Sequence, residues 1–194
     1  MKKNYYRPEH LDYAFKFVKK WDIAVDVGAN IGTLSIYMAK KFKKVYSFEL
    51  VHENFECLRK NIDDHGYNNI IPFCFGLGKE NKKVDIIYDS VYPDSLAGVC
   101  ANVNKEGIYE LKTLDSLNLE GCDFLKIDVE GLESHVLEGG FNTISKYKPV
   151  IILEYKQRKS VQAGTNLRDI DEMIKKLNYK KVGGYNSDLV FVCS

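Results

Sequence analysis

Short apolar runs, each closed by a glycine or an acid, recur along this chain, and segments with helical spacing fall between them. Residues 23–28 (IAVDVG), 44–50 (KVYSFEL), 69–78 (NIIPFCFGLG), 123–129 (DFLKIDV) and 149–155 (PVIILEY) have the length and β-branched or aromatic character of buried strands. Residues 30–42, 53–62 and 131–139 place their apolar side chains at helical spacing. Strands alternating with helices require right-handed crossovers, so the chain is expected to form an α/β fold with a mostly parallel sheet covered by helices on both faces. Ligands of such sheets bind at the carboxyl ends of the strands. The expected site therefore lies where residues 28, 49 and 128 end their strands.

The remaining segments fit the same plan. Residues 7–21 read as an amphipathic helix, with Pro8 suited to a first turn and Leu11, Ala14, Phe15 and Val18 on one face. Residues 84–89 and 107–114 read as further strands flanking a loop at 90–106, and residues 156–166 read as a polar loop. Asn166 caps a helix beginning at Leu167, with Asp169 placed well for its dipole. Residues 180–185 and 189–194 form an antiparallel pair around GYNSD. At 194 residues, with no linker or repeat, one domain is expected, comprising an N-terminal helical segment (1–21) and a catalytic core (22–194).

Composition narrows the function classes. With 28 basic against 27 acidic residues the net charge is +1, which supplies no general attraction to nucleic acid or anionic membrane. The five cysteines (Cys57, Cys74, Cys100, Cys122 and Cys193) are scattered without a CxxC pair, which disfavours a disulfide framework or a zinc site. No apolar run is long enough to span a bilayer, and the first residues, MKKNYYRPEH, show no signal-peptide pattern. A cytoplasmic location and no membrane insertion are the resulting expectations.

The turn VDVGANIG carries Asp26, Gly28, Asn30 and Gly32 between the first strand and its helix. Glycines there allow tight turning and close approach of a ligand to free backbone N–H groups. The turn lacks the spacing and lysine of a P-loop, and it lacks the GxGxxG of a dinucleotide site, where Asp26 would oppose a pyrophosphate. A ligand with cationic parts fits better. S-adenosylmethionine, with its ammonium, sulfonium and adenosine, is such a ligand, and Glu49 at the end of the second strand is placed to accept from ribose hydroxyls.

Three runs, DVGANIG (26–32), TLDSL (113–117) and KIDVEGLESHVLEGG (126–140), resemble the FkbM-type branch of the class I S-adenosylmethionine-dependent methyltransferases, over roughly residues 22–193. The resemblance implies a Rossmann-like, seven-stranded sheet of order 3-2-1-4-5-7-6 whose last strand is antiparallel. It implies methyl transfer to a hydroxyl of a sugar, glycan or related metabolite, with S-adenosylhomocysteine as product. Carried over to this chain, it places Asp26, Gly28, Asn30 and Gly32 on the methionine part of the cofactor, Glu49 on the ribose, and Gly76 and Leu77 near the adenine. The chain departs from the family after Glu49, where LVHENF stands in place of a proline-containing turn.

A sugar hydroxyl attacks a methyl group only as its proton is removed, so an acceptor for that proton is expected at the strand ends. Asp128 is the leading residue to face both the cofactor's ammonium and the acceptor, flanked by Glu130 and Glu154. Lys126 is equally suited to an ion pair with Asp26 or Asp128 and to catalysis, and Glu133 suits the start of the following helix. His135 ranks below the acids, Asn186 and Asp188 are ordinary turn residues that could reach the rim, and His10, His52 and His65 carry no pattern. Asp128, Glu130 and Glu154 are hard ligands that allow a divalent metal, but the acid-amide pair of catechol-type enzymes is missing, so no metal ligands are assigned. The competing readings are a non-catalytic cofactor-binding scaffold, an RNA ribose methyltransferase, whose KQRKS stretch (156–160) could meet an anionic acceptor, and a nicotinamide-dependent dehydrogenase.

Overall fold

The structure is a computed structural model that describes residues 8–87 and 99–194. Its centre is a seven-stranded sheet: β1 (Ile23–Val27), β2 (Lys44–Glu49), β3 (Ile70–Cys74), β8 (Phe124–Ile127), β9 (Val150–Glu154), β10 (Tyr179–Tyr185) and β11 (Asp188–Cys193). They lie in the order β3-β2-β1-β8-β9-β11-β10, all parallel except β11, which runs antiparallel to both of its neighbours. This is the order that the family resemblance implies, and its parallel core and terminal hairpin are those read from the alternating pattern.

Burial on both faces explains why the central strands are almost continuously apolar. On one face Val25, Val27, Leu125, Ile127, Ile151 and Leu153 pack with Val136 and Leu137 of α4 (Glu133–Gly139), Ile144 of α5 (Phe141–Tyr147), and Ile170 and Ile174 of α7 (Leu167–Lys176). The other face packs Ala24, Val45, Phe124 and Ile152 against α1 (Glu9–Phe15), α2 (Thr33–Ala39) and α3 (His52–His65). Each large side chain buried this way contributes about 1.5–3 kcal/mol. Helix α7 starts as its sequence dictates: the Asn166 side chain accepts from the Arg168 and Asp169 amides and Asp169 answers the Asn166 amide, a capping box worth about 1 kcal/mol.

Several local expectations are corrected. Residues 156–166 are not wholly loop, because Gln157–Ala163 forms α6, a short helix with buried Ala163 and Ser160 facing inward and Val161 left exposed. The strand expected over 69–78 breaks at Phe75. Beyond it, β4 (Gly76–Leu77) joins β5 (Lys82–Ile87), β6 (Cys100–Asn102) and β7 (Tyr109–Lys112) in a second sheet of order β4-β7-β5-β6. The loop expected at 90–106 is described only from residue 99 onward.

Helix α1 packs against β9 and β10. Tyr13 donates to the Val182 carbonyl at 2.9 Å, and Tyr185 donates to Glu9 at 3.0 Å. The first turn of α1 is thereby fastened to the hairpin tip, at the carboxyl edge of the sheet. Among the described residues no helix is long and apolar enough to cross a membrane.

Candidate active site

A cavity of about 480 Å³ opens at the carboxyl edge, within the size range of small-molecule sites. The turn after β1, the end of β2, the loop after β8 and the end of β9 form its floor, while Leu77, Ala101 and Leu111 of the second sheet wall it.

The glycine turn is shaped by close packing. Gly28 has φ +78°, and a side chain there would place Cβ 1.8 Å from the Asp128 carbonyl oxygen. Its amide and that of Ala29 donate to the Phe48 carbonyl at 3.0 and 2.9 Å, so the turn folds back over β2. Asn30, at φ 51°, donates its amide to Glu49 Oε2 at 2.7 Å, and the Val51 amide donates to Oε1 at 2.9 Å. Burial raises the Glu49 pKa against these hydrogen bonds, so its charge has been taken from water and given fixed donors. The Asn54 side chain is a third donor to this carboxylate, which keeps acceptor capacity for a ligand. Gly28, Asn30, Glu49, Gly76 and Leu77 all line the cavity.

Two residues expected at the ligand lie elsewhere. Asp26 is fully buried below the cavity, because side chains alternate along a strand and residue 26 points under α2. It accepts from Ser35 Oγ at 2.6 Å and pairs with Lys126 Nζ at 3.0 Å, its register partner on β8. Gly32 is also absent from the cavity wall; with φ +88°, a Cβ there would come within 2.4 Å of Leu58, so it permits the approach of α3 to the turn.

Lys126 is 5% exposed and donates to the Gly28 carbonyl at 2.7 Å while its ammonium stands 4.0 Å from Asp128. It is thus a cation locking the glycine turn to the end of β8, and it also lines the cavity. Glu133 has the role expected of it near the helix start. Its Oε1 accepts from the Gly131 amide at 3.0 Å and the Val129 amide at 3.3 Å, holding the turn in which Glu130 takes φ 57° and Gly131 φ 111°.

The acids meet at the far end of the cavity. Parallel register sets Ile127 beside Leu153, hence Asp128 beside Glu154, and antiparallel register pairs Glu154 with Asp188. Asp128, Glu130 and Glu154 line the cavity, with Lys156 beside them. Glu130 pairs with Lys159 at 2.6 Å and Glu154 with Lys156, yet burial still raises the pKa of both acids, that of Glu154 to about 7. Among the described residues no group of three or more His, Cys, Asp or Glu is arranged to hold a metal ion.

Sequence reasoning passed over His10 and undervalued Asp188. Burial raises the pKa of Asp188 and lowers that of His10, and each feels the other's charge together with those of Asp128 and Lys126. Strand alternation from Val190 could have placed Asp188 on the face of Glu154. Nothing local marks His10, which arrives through the docking of α1. His135 is half-buried behind the site and held below its ordinary pKa by burial and Lys79.

A seven-stranded sheet of this order, with a glycine turn and an acid-ended second strand framing a cavity at the carboxyl edge, defines the Rossmann-like methyltransferase class. The profile of the methyltransferase FkbM domain matches residues 26–181, and the chain belongs to that family. It is similar to the hexuronic acid methyltransferase AglP of Haloferax volcanii, 28% identical over 160 residues that cover 79% of this chain and 61% of AglP. Methyltransferase 1 of Beauveria bassiana is 25% identical over 141 residues, covering 59% of this chain and 57% of its own. The chain thus spans about three fifths of the length of these relatives. The fold matches the FkbM methyltransferase from Methylobacillus flagellatus KT at TM-score 0.63 and 17% identity, over 96% of this chain and 50% of the other. SMU.1697c from Streptococcus mutans, solved in complex with SAH, matches at TM-score 0.58 and 12% identity over 95% and 96%.

Proposed function

We propose that the protein transfers a methyl group from S-adenosylmethionine to a hydroxyl of a sugar or glycan, and that residues 1–194 act as one methyltransferase domain. The observation that carries this reading is the continuity of one cavity from the glycine turn and Glu49 to Asp128, Glu130 and Glu154. The donor set suits the cofactor. Glu49 offers spare lone pairs to ribose hydroxyls, Gly28 and Asn30 bring backbone close to the methionine part, and Gly76 and Leu77 supply an uncharged wall for the adenine. Asp128, on the cavity wall beside Gly28, is the carboxylate assigned to the ammonium in this reading. Asp26 contributes indirectly, by holding Lys126 and through it the turn.

When bound, the sulfonium supplies an electrophilic methyl group. The protein's part is to orient the acceptor hydroxyl about 3 Å from that carbon, to exclude water and to receive a proton. Asp128, Glu130 and Glu154 are the groups placed for the last task. Similarity to AglP makes a hexuronic acid the first acceptor to try, and Lys156 on the cavity wall offers a counter-charge for its carboxylate.

The test is calorimetric titration of S-adenosylhomocysteine into the protein with NADH as control, then mass spectrometry of hexuronic acid glycosides, neutral glycosides and RNA incubated with S-adenosylmethionine. S-adenosylhomocysteine binding without NADH binding, and a gain of one methyl on a glycoside, is the expected result. NADH binding would return the dehydrogenase reading, and cofactor binding with no methylated glycoside or RNA would favour the scaffold.

A further inference from the structure

The acids at the far end of the cavity are not equivalent. Asp128 ends β8 with its side chain 38% exposed, Glu130 is neutralised by Lys159 at 2.6 Å, and Glu133 spends an oxygen on two backbone amides. Glu154 differs from all of them. It is 7% exposed and lines the cavity, Lys156 occupies its Oε1, and its buried Oε2 has neither a hydrogen-bond partner nor an ion pair among the described residues, whereas Glu130 Oε2, also without a hydrogen bond, is held by Lys159. A buried carboxylate oxygen left without a donor costs stability unless a ligand supplies one.

Its neighbours make the position more specific. Glu154 stands in the middle of a register row, with Asp128 on one side and Asp188 on the other. The charged groups around it are Asp128 from β8, Glu130 and Glu133 from the turn and α4, Lys156 from its own strand end and Asp188 from β11. His10 of α1 shares the field of Asp188. Acids adjacent in a desolvated row cannot all be charged at little cost, and the central one most readily holds a proton.

We propose that Glu154, through Oε2, is the group that takes the hydroxyl proton of the methyl acceptor, with Lys156 and Asp128 as the residues that position and tune it. This rests on the methyltransferase reading above. In the step, the acceptor oxygen forms its bond to the methyl carbon, and the carbon–sulfur bond breaks with its electron pair passing to sulfur. The hydroxyl proton moves to Glu154 Oε2, and nothing is oxidised or reduced. The partly exposed Asp128 then offers the proton a route to water. Desolvation, with the Asp128 charge second, raises the Glu154 pKa to about 7, so near neutral pH the group is a stronger base than a solvated carboxylate and still sufficiently ionised to act.

The experiment compares the wild-type protein with Glu154→Gln, which keeps the side-chain shape and removes a buried charge, so folding is not threatened. Methyl transfer to methyl glucuronide should fall at least about 100-fold in kcat, with S-adenosylhomocysteine affinity changed less than about threefold. The rise of wild-type kcat with pH should vanish in the variant, and Glu154→Asp should restore part of the rate together with the pH step. A second readout needs no acceptor: carbon-13 NMR of the glutamate carboxyls in the S-adenosylhomocysteine complex, with Glu154→Gln assigning the resonance, should show a titration near neutral pH. A wild-type rate in Glu154→Gln, or a titration in the ordinary carboxylate range, overturns the assignment. Failure of the wild type to bind S-adenosylhomocysteine would instead overturn the methyltransferase reading itself.

Discussion

Around the glycine turn, charge is answered locally: Glu49 holds two backbone amides, and Asp26 is held by Ser35 and by Lys126, which also grips the Gly28 carbonyl. At the other end of the same cavity, Asp128, Glu154 and Asp188 stand in a row, and burial raises the pKa of the latter two. The first region resembles a finished piece of core, in which polar groups are buried only with partners. The second retains carboxylates whose burial raises their pKa, Glu154 even with Lys156 paired to it. Such an asymmetry is expected where one side must hold a ligand in a fixed place and the other must exchange a proton. The contrast can be broken from either end.

The largest effect is expected at Gly28. Glycine is required there twice, by φ +78° and by the Asp128 carbonyl, which would lie 1.8 Å from an added Cβ. Gly28→Ala should therefore displace the turn, lose several kcal/mol and abolish S-adenosylhomocysteine binding, measured by thermal unfolding and calorimetry. Binding within threefold of the wild type would show that the turn is not the rigid cradle described. Next in size is Lys126. Lys126→Met leaves Asp26 buried without its cation and should cost about 3–5 kcal/mol, or roughly 10 °C in Tm for a domain of this size. Asp26→Asn combined with Lys126→Met should recover much of that loss. A double variant no more stable than the single one would mean that the lysine acts through the Gly28 carbonyl alone.

The two ends of the cavity also differ in how far the sequence discloses them. The turn is legible because a local run, VDVGANIG, encodes both the backbone turn and its packing, and the strands carry the apolar runs that burial on both faces demands. Even there Asp26, expected at the ligand, lies beneath the cavity, since alternation along β1 turns its side chain under α2. The acid row is harder to see. Asp128 and Glu154 end readable strands, but Asp188 joins them only through antiparallel register, and His10 only through the docking of α1. The second sheet escapes notice because β4 is two residues long and gains its partner, β7, from far along the chain. Helix α6 escapes because its exposed Val161 blurs the apolar period. Local rules fail where pairing is set by tertiary contact.

Glu49 supplies a test of intermediate size, confined to the ordered side. If its free lone pairs serve the ribose, Glu49→Ala should weaken S-adenosylhomocysteine about 10- to 100-fold, the range for a lost hydrogen bond to a charged group. Part of that loss would come from the released Asn30 and Val51 amides. Titration with S-adenosylhomocysteine and with its 2′,3′-dideoxyribose analogue separates the two, because the analogue should lose only the part that comes from the loop. An equal loss for both ligands would assign Glu49 to the loop only.

The smallest effect, and the sharpest for the comparison, concerns pH and Glu133. Burial raises its pKa to about 7 despite two backbone donors, as it does for Glu154. A carboxyl whose folded pKa lies above the unfolded value binds more protons when folded. Its contribution is therefore full below the unfolded value, near 4.5, and is lost as pH rises through about 7. Stability of the wild type should accordingly fall between pH 5 and 8, by a few degrees of Tm for each such group. Glu133→Gln keeps an oxygen for the Gly131 and Val129 amides and removes the titration, so it should flatten that fall while leaving S-adenosylhomocysteine affinity within about twofold. Glu154→Gln should flatten it as well but remove methyl transfer. If both variants flatten the profile and only the second loses turnover, the two buried acids share an electrostatic cost and differ in use. A wild-type Tm independent of pH over this range would mean that neither carboxyl is held protonated, and the contrast between the two ends of the cavity would be one of geometry alone.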